Sequence, residues 1–251
     1  MPRITIIETG LVPPQYRECH GSFPQMFERM IRASDPSVAF DVVSVANGQA
    51  YPDPDTTEAI LITGSAAGVY DDYAWIAPLE EFVRAAYARR TPMVGICFGH
   101  QLIAQALGGV VRKSEKGWGI GRHVYRVVPG NGVVEAEHLA LACSHQDQVI
   151  EPPAEARTIL SSDFTPHAGL LYANGVTFSA QPHPEFEVSF AHVCCELREG
   201  QAPESVVRAA QASLAEPLDS ARLGSAIARF LATGSSWTSR QGAGIKPSFP
   251  Q

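Results

Sequence analysis

Short apolar runs alternate with segments of helical spacing through the first hundred residues of the chain. The runs are brief and rich in β-branched residues, as buried strands are, and they read ITII (4–7), FDVVSV (40–45), AILIT (59–63) and PMVGI (92–96). The segments of helical spacing are PQMFERMIRA (24–33), PLEEFVRAAYARR (78–90) and GHQLIAQALGG (99–109). Strands that alternate with helices predict a parallel sheet that helices cover on both faces.

The second half of the chain departs from this pattern. Strand-like pieces follow one another with short turns, namely GRHVYRVV (121–128), LALACSHQDQVI (139–150), RTILSS (157–162), HAGLLYA (167–173) and GVTFSAQ (175–181). We therefore expect mixed or antiparallel additions to the sheet. Helical spacing returns at 203–234, whereas 235–251 is rich in Gly, Ser and Pro without periodicity. The pattern predicts one α/β domain over residues 1–234 and a flexible tail over residues 235–251.

Composition and charge narrow the classes of partner. The chain has 251 residues, of which 45% are hydrophobic and 18% charged, an ordinary globular balance. Its formal net charge of −7 gives no electrostatic reason to expect nucleic acid or an acidic membrane as a partner. No apolar run approaches the roughly 20 residues of a membrane span, and MPRITIIETG lacks the parts of a signal peptide. Since five irregularly spaced cysteines do not form a disulfide framework, we expect a cytoplasmic protein.

One cysteine stands between two glycines in GICFGHQ (95–101), directly after a predicted strand and at the start of a predicted helix. This layout is that of a nucleophile elbow, where glycines let neighbouring backbone approach closely. The positive end of the helix favours the reactive thiolate of Cys97, and the N–H of Phe98 is placed to act as an oxyanion donor. Taken alone, the pattern also fits a structural cysteine at the end of a strand.

A second motif, QPHPEF (181–186), follows the last predicted strand. His183 and Glu185 flank Pro184, which stiffens the backbone, so a base and a group to orient it project from one extended loop. Catalytic groups of open α/β sheets gather at the carboxyl ends of the strands, so we expect this pair beside Cys97. Taken alone, His-Pro-Glu also fits a surface turn.

Other candidate residues carry weaker signals. His100 is expected to cap or pack at the start of its helix. Cys143 and His145 have the spacing C-x-H but no matching pair of ligands elsewhere, so the sequence predicts no metal site. No cofactor is expected either.

Together, the two motifs resemble those of the class I, triad-type glutamine amidotransferases. GICFGHQ is similar to the family's G-[IV]-C-x-G-x-Q, and HPE at 183–185 to its His-Pro-Glu. The likeness extends from about Ile4 to Phe230, and KGWGIG (116–121) resembles the stand-alone GMP-synthase-like branch of the family. It implies a flavodoxin-like three-layer α/β/α sandwich, with a mostly parallel central sheet, antiparallel additions, and the triad at the carboxyl edge.

The resemblance also implies roles for single residues. Cys97 would be the nucleophile, His183 the general base and then acid, and Glu185 the group that orients it. The oxyanion hole would consist of the N–H groups of Phe98 and Ser65, the latter standing where the family's S-G-G-P has its second glycine. The substrate-binding residues implied in the same way are Gly64, Gln101, His145, Gln146 and Asp147.

Three functions follow from this resemblance. The first is hydrolysis of the side-chain amide of glutamine through a γ-glutamyl thioester, with ammonia released to a separate synthetase subunit, since residues 1–251 leave no room for one. The second is a γ-glutamyl peptidase or hydrolase acting on another γ-glutamyl amide or conjugate. The third is a non-enzymatic binding or regulatory protein of the same fold. The expected partners are a small-molecule substrate and that synthetase, and the sequence is compatible with an oligomer.

Overall fold

The computed structural model describes residues 3–233, which form strands, helices and one short 3₁₀ turn. The strands are β1 (Arg3–Glu8), β2 (Ala39–Ser44), β3 (Ala59–Ile62), β4 (Met93–Ile96), β5 (Val110–Lys113), β6 (Gly119–Val127), β7 (His138–His145), β8 (Asp147–Glu151), β9 (Ala156–Ser161), β10 (Gly169–Tyr172) and β11 (Thr177–Ala180). The helices are α1 (Pro14–His20), α2 (Phe23–Arg32), α3 (Ile76–Ala88), α4 (Phe98–Ala106), α5 (Val188–Glu196), α6 (Glu204–Ser213) and α7 (Ser220–Thr233).

Nine strands form the central sheet in the order β2-β1-β3-β4-β11-β10-β9-β6-β7. The first five of these run parallel to one another, and the remaining four add antiparallel neighbours. β5 and β8 pair separately as a two-stranded antiparallel ribbon. β3, β4 and β11 are therefore adjacent, with their carboxyl ends at one edge.

The period of two along each buried strand sends side chains to opposite faces of the sheet. Ile4 and Ile6 of β1 pack in the cluster that includes α2 and α7. Ile7 joins the opposite cluster, which includes α3 and α4. A third cluster seats α5 and α6 against the β6–β7 end of the sheet. Helices therefore pack on both faces of the central sheet. This arrangement confirms the predicted α/β/α sandwich with a mostly parallel sheet and antiparallel additions.

The structure adds local detail that the sequence pattern does not give at three places, the first being the segment 11–23. The proline-rich segment after β1 contains helix α1, with Pro14 in its first turn, where the missing N–H costs nothing. The run 139–150 is two strands rather than one, since β7 stays in the main sheet while β8 turns away to pair with β5. The helical stretch 203–234 is two helices, α6 and α7, because Pro217 stands between them and has no N–H for a continuous helix.

Within residues 3–233, no helix is both long and apolar enough to cross a membrane. The tail predicted over 235–251, and the last residue of the predicted domain, lie outside the described residues.

Candidate active site

Three neighbouring strands deliver the predicted catalytic groups to the same edge of the sheet. β3 ends just before Thr63 and Gly64, β4 ends at Ile96 just before Cys97, and β11 leads into the loop that carries His183. β4 lies between β3 and β11, in parallel register with both. The carboxyl ends of adjacent parallel strands meet in this way wherever an open α/β sheet builds a site.

Cys97 occupies a sharp corner between β4 and α4. Its φ of 53° and ψ of −102° lie outside the conformations that a side chain ordinarily allows. The N–H of Cys97 donates to the carbonyl of Ala180 at 2.9 Å, and the N–H of Gly99 donates to the carbonyl of Thr63 at 3.2 Å. These hydrogen bonds join the corner to the ends of both flanking strands. They hold the strained backbone of Cys97, and with it the thiol, at the start of the helix.

The corner depends on the absence of side chains at its two glycines. A β-carbon on Gly95 would lie 2.4 Å from the carbonyl oxygen of Gly99. A β-carbon on Gly99 would lie 2.5 Å from the carbonyl oxygen of Ile62. The backbone therefore comes as close as the glycine pattern of the sequence predicts.

His183 and Glu185 form a buried ion pair beside this corner. Nδ1 of His183 lies 2.7 Å from Oε1 of Glu185, and both side chains are at least 96% buried. The ring of Phe186 stacks on the imidazole, with centroids 3.9 Å apart. The N–H of His183 also donates to the carbonyl of Ala142 at 2.9 Å, which anchors the loop to β7. Glu185 thus holds the edge of the imidazole, Phe186 holds its face, and the backbone hydrogen bond to Ala142 holds the loop that carries it.

Two charges set the protonation of His183. Burial by itself lowers the pKa of His183, but the Glu185 carboxylate and the Cys97 thiol outweigh it and raise the pKa to about 10. Since Nδ1 faces Glu185, Nε2 is the ring nitrogen left for the thiol, and it is buried without a hydrogen-bond partner in the described residues. At neutral pH the site therefore favours an imidazolium, a partner that stabilises a neighbouring thiolate.

The two backbone N–H groups predicted to act as oxyanion donors have no hydrogen-bond partner in the described part of the chain. Phe98 is the first residue of α4, and within residues 3–233 its N–H donates to no protein acceptor. The same is true of Ser65, whose hydroxyl instead accepts from the N–H of Ala67 at 3.2 Å. Gly64 lies against the two reactive groups: a β-carbon there would be 3.0 Å from Cε1 of His183 and 3.5 Å from Cβ of Cys97. A larger residue at 64 would displace the imidazole.

The predicted substrate-binding residues form one connected wall. The amide nitrogen of Gln101 donates to the carbonyl of Asp147 at 2.8 Å and to Oε1 of Gln181 at 3.1 Å. His145 lies 3.1 Å from the same carbonyl through Nδ1, and burial lowers its pKa to about 3, so its ring is neutral. The carbonyl of Gln146 accepts from the N–H of Ser114 at 3.0 Å. What these residues do for a substrate stays a prediction.

A cavity of about 400 Å³ opens above Cys97. Of the predicted site residues, six line it: Ser65, Cys97, Gln101, His145, Gln146 and Asp147. Gly64, Phe98, His183 and Glu185 do not reach its surface. Trp118 of the GWGIG segment also lines the cavity, whereas the proline-rich segment at 11–23 does not. The described residues contain no group of three or more His, Cys, Asp or Glu side chains placed to hold a metal ion.

Sequence reasoning missed three residues of this site. Tyr70 lines the cavity and donates to Oδ2 of Asp147 at 2.9 Å, and Arg198 lines it from the turn after α5. Tyr70 follows the predicted Ser65 closely in the chain and Arg198 follows the His-Pro-Glu motif, but no local pattern indicates that either side chain reaches the cavity. Phe186 directly follows His-Pro-Glu, and an aromatic residue beside a predicted base is a signal that could have found it.

Comparisons with known proteins identify the family of the chain. The family described as "Glutamine amidotransferase class-I" matches residues 16–192. Gamma-glutamyl peptidase 2 of Arabidopsis thaliana is 30% identical over 59% of the chain and 61% of that protein. One of the subunits of the glutamine-hydrolyzing GMP synthase of Saccharolobus solfataricus is 35% identical over 38% of the chain and 52% of that protein.

A solved structure gives the same fold. The crystal structure of a glutamine amidotransferase from Thermotoga maritima superposes with a TM-score of 0.70 at 20% identity, covering 92% of this chain and 98% of that one. Alignments with the first curated relatives span 61% to 67% of the length of those proteins. Because the family match extends over well more than half of the residues, the chain belongs to the class I glutamine amidotransferases.

Proposed function

We propose that the protein is a cysteine hydrolase that cleaves a γ-glutamyl amide. Cys97 acts as nucleophile, His183 as general base and acid, and Glu185 as the group that orients His183. One observation carries the proposal. Cys97, whose backbone is strained at the start of α4, adjoins the imidazole of His183, and Nδ1 of that imidazole is hydrogen-bonded to the buried carboxylate of Glu185. Structural cysteines and surface turns need none of this arrangement.

The first half of the reaction forms a thioester. The Cys97 thiolate attacks the γ-carbonyl carbon, a C–S bond forms, and negative charge moves to the carbonyl oxygen. The N–H groups of Phe98 and Ser65 stabilise this oxyanion, each contributing about 3 kcal/mol. The C–N bond then breaks, and the His183 imidazolium donates its Nε2 proton to the departing amine.

The second half regenerates the enzyme. His183, now neutral, takes a proton from water as the water attacks the thioester carbon. The C–S bond breaks, the γ-carboxylic acid leaves and gives its proton to solvent, and the thiolate and imidazolium are restored together. Glu185 holds the imidazole in one orientation throughout, since its Oε1 accepts from Nδ1 at 2.7 Å.

Glutamine is the first substrate that this chemistry suggests, with ammonia as the released amine. The likeness to a protein named gamma-glutamyl peptidase 2 supports a second candidate, a γ-glutamyl peptide whose released amine is an amino acid. Both reactions share the thioester, so the choice between them depends on what the cavity accepts beyond the scissile bond. Ammonia release from glutamine and amine release from γ-glutamyl dipeptides, measured side by side, decide between them.

A separate synthetase is the partner that a glutaminase would need, and the likeness to one of the subunits of a GMP synthase supports it. Purification of the native protein from its own cells tests whether a synthetase accompanies it. We also propose a cytoplasmic location, because the mechanism requires a thiol that stays reduced.

The test of the proposed function is Cys97→Ser. We expect turnover of glutamine and of γ-glutamyl dipeptides to fall at least about a thousandfold, with the circular dichroism spectrum unchanged. A glutamine-like chloroketone should label Cys97 in the parent protein. Cys19→Ser is the matched control, because Cys19 is exposed and lies outside the cavity. Turnover that survives in Cys97→Ser would refute the assignment.

A further inference from the structure

The cavity above Cys97 contains an arginine that the proposed reaction does not use. Arg198 lies in the turn after α5 and lines the cavity together with Trp118 and Cys97. Within residues 3–233, no carboxylate lies within 4.0 Å of its guanidinium. This separates Arg198 from Arg126 and Arg208, for example, which form ion pairs on the surface.

The guanidinium of Arg198 is held in place by an aromatic ring, but most of its hydrogen-bond donors have no partner in the described residues. Its central carbon lies 4.3 Å from the centroid of the Trp118 ring, so the indole holds one face of the group. Nη1 makes a long contact of 3.5 Å with the carbonyl of the preceding residue, Leu197. Nε is buried and has no hydrogen-bond partner. An arginine carries five N–H donors in a planar fork, and most of this fork is left for something else.

No carboxylate of the described residues neutralises the positive charge of Arg198. Burial lowers the pKa of Arg198, and the neighbours that act against this are the sulfur atoms of Cys194 and Cys97 rather than a carboxylate. Arg198 is half-buried, and a charge that is partly removed from water without a partner is costly. The missing partner is therefore to be sought in the ligand.

The side of the cavity that contains Asp147 has its own hydrogen-bond donor and its own cation. The carboxylate of Asp147 accepts from Tyr70, and Lys113 is the cation that acts on it. This side also holds Gln101 and His145, the residues predicted to receive the amino-acid end of the γ-glutamyl group. A γ-glutamyl group placed there leaves the Arg198–Trp118 side for what lies beyond the scissile bond.

We propose that Arg198 and Trp118 form a carboxylate-binding subsite for the leaving group, so that the enzyme selects γ-glutamyl amino acids over glutamine. This proposal rests on the proposed function and specifies its substrate class. A γ-glutamyl amino acid carries a carboxylate on the carbon next to the scissile nitrogen, whereas glutamine releases ammonia and carries none. The fork of an arginine binds a carboxylate through two parallel hydrogen bonds, and the indole face keeps the fork in plane.

Three substrates separate the roles that Arg198 could have. γ-Glutamylglycine has the leaving-group carboxylate, γ-glutamylglycinamide has a neutral amide in its place, and glutamine has neither. We expect the parent enzyme to favour the acid over the amide by about tenfold to a hundredfold in kcat/KM. In Arg198→Gln the acid-to-amide ratio should fall to about one through a higher KM for the acid. Any change in kcat/KM caused by the lost charge beside Cys97 should be the same for the amide and for glutamine.

Arg198→Lys and Lys113→Gln are the matched variants. Lysine keeps the charge but not the fork, so Arg198→Lys should retain only part of the preference. Lys113→Gln removes one positive charge from the Asp147 side of the same cavity and should leave the acid-to-amide ratio in place. If Lys113→Gln lost the acid-to-amide ratio to the same extent as Arg198→Gln, the subsite would be overturned. The total positive charge of the cavity, rather than the Arg198 guanidinium, would then explain the preference for the acid. Equal losses on all three substrates in Arg198→Gln would also overturn the subsite, because Arg198 would then serve the γ-glutamyl end or the fold.

Binding separates a failure of the subsite from a failure of the reaction. In Cys97→Ser, calorimetry should show γ-glutamylglycine binding at least about tenfold more tightly than γ-glutamylglycinamide, and the double variant with Arg198→Gln should bind both alike. Equal affinities in Cys97→Ser alone would refute the subsite, even in an enzyme that hydrolyses both substrates. Preferential binding without any turnover in the parent would support the subsite and refute the proposed function.

Discussion

Cys97 shows how a single residue can be held out of its preferred conformation. Arg90 and Cys97 are the non-glycine residues with positive φ in the range 3–233. A residue in such a conformation costs about 1–3 kcal/mol and persists only where its surroundings over-determine it. Here the hydrogen bonds from Cys97 to Ala180 and from Gly99 to Thr63 do so.

The carboxylate of Glu185 is the group whose effect on His183 is most directly testable. We expect Glu185→Gln to lower kcat/KM by about 10²- to 10⁴-fold, since the amide keeps the shape but not the charge. The pKa of His183 is raised to about 10 in the parent, so the parent should keep activity up to about that pH. The basic limb of the pH–rate profile should move to lower pH in the variant. An unmoved limb would show that Glu185 does not set the charge of His183.

The same shift links the ion pair to stability. The pKa of His183 in the native protein lies above the 6.5 of a free imidazole, so the pair stabilises the native state fully below about pH 6.5. This stabilisation is lost as the pH rises through about 10. The difference in unfolding free energy between parent and Glu185→Gln should therefore shrink between those two values.

At the scale of elements, the site is the junction of β4 with α4. α4 begins one residue after Cys97, and β4, which leads into it, lies between β3 and β11. Gly95 and Gly99 let the helix approach the sheet at contacts that a β-carbon would occupy. The geometry of this junction, more than the helix propensity of its residues, places the N–H of Phe98.

Gly99→Ala tests that junction. Its new β-carbon would overlap the carbonyl of Ile62, so we expect a loss of about 1–3 kcal/mol in the free energy of unfolding, together with a marked loss of activity as α4 shifts. Urea denaturation and turnover measure the two effects.

Gly48→Ala is the control for Gly99→Ala. Gly48 follows β2, has a φ of 76°, and has nothing within 4 Å of an added β-carbon. Its cost of about 1–2 kcal/mol comes from the left-handed backbone alone, and activity should be kept. Full activity in Gly99→Ala would show that the close approach is not needed.

At the scale of the whole molecule, buried neutral histidines limit stability in acid. Burial lowers the pKa of His100 and of His145 to about 3. The unfolded chain protonates both near pH 6.5, so between about 6.5 and 3 it binds more protons than the native state. Stability should fall with falling pH in this window, by at most about 1.4 kcal/mol per pH unit for each histidine.

His100→Gln isolates one of these contributions. His100 is fully buried, with Nδ1 2.7 Å from Oγ of Ser179, and glutamine removes the titrating group. Urea denaturation between pH 7 and pH 4 should give a shallower dependence on pH in the variant than in the parent. Parallel curves would contradict the assignment of His100 as a neutral buried group.

The sequence by itself determined the alternation of β1, β3, β4 and their helices, because buried parallel strands are short apolar runs that local pattern reveals. It also determined the candidates Cys97, His183 and Glu185, since glycine spacing and proline restrict the backbone locally. It did not determine that β8 leaves the main sheet for β5, or that α6 and α7 are separate helices.

Only the tertiary structure decided what surrounds the candidates. His183 meets Cys97 because β4 and β11 are neighbours, a pairing between residues more than eighty positions apart that no local pattern encodes. His100 packs in the core, as expected from the sequence, and the tertiary structure provides its partner, the buried hydroxyl of Ser179. Arg198 enters the cavity only once α5 packs on β6 and β7. Local sequence restricts the backbone where each group stands, while the packing of distant elements fixes which groups share a cavity and therefore which charges they carry.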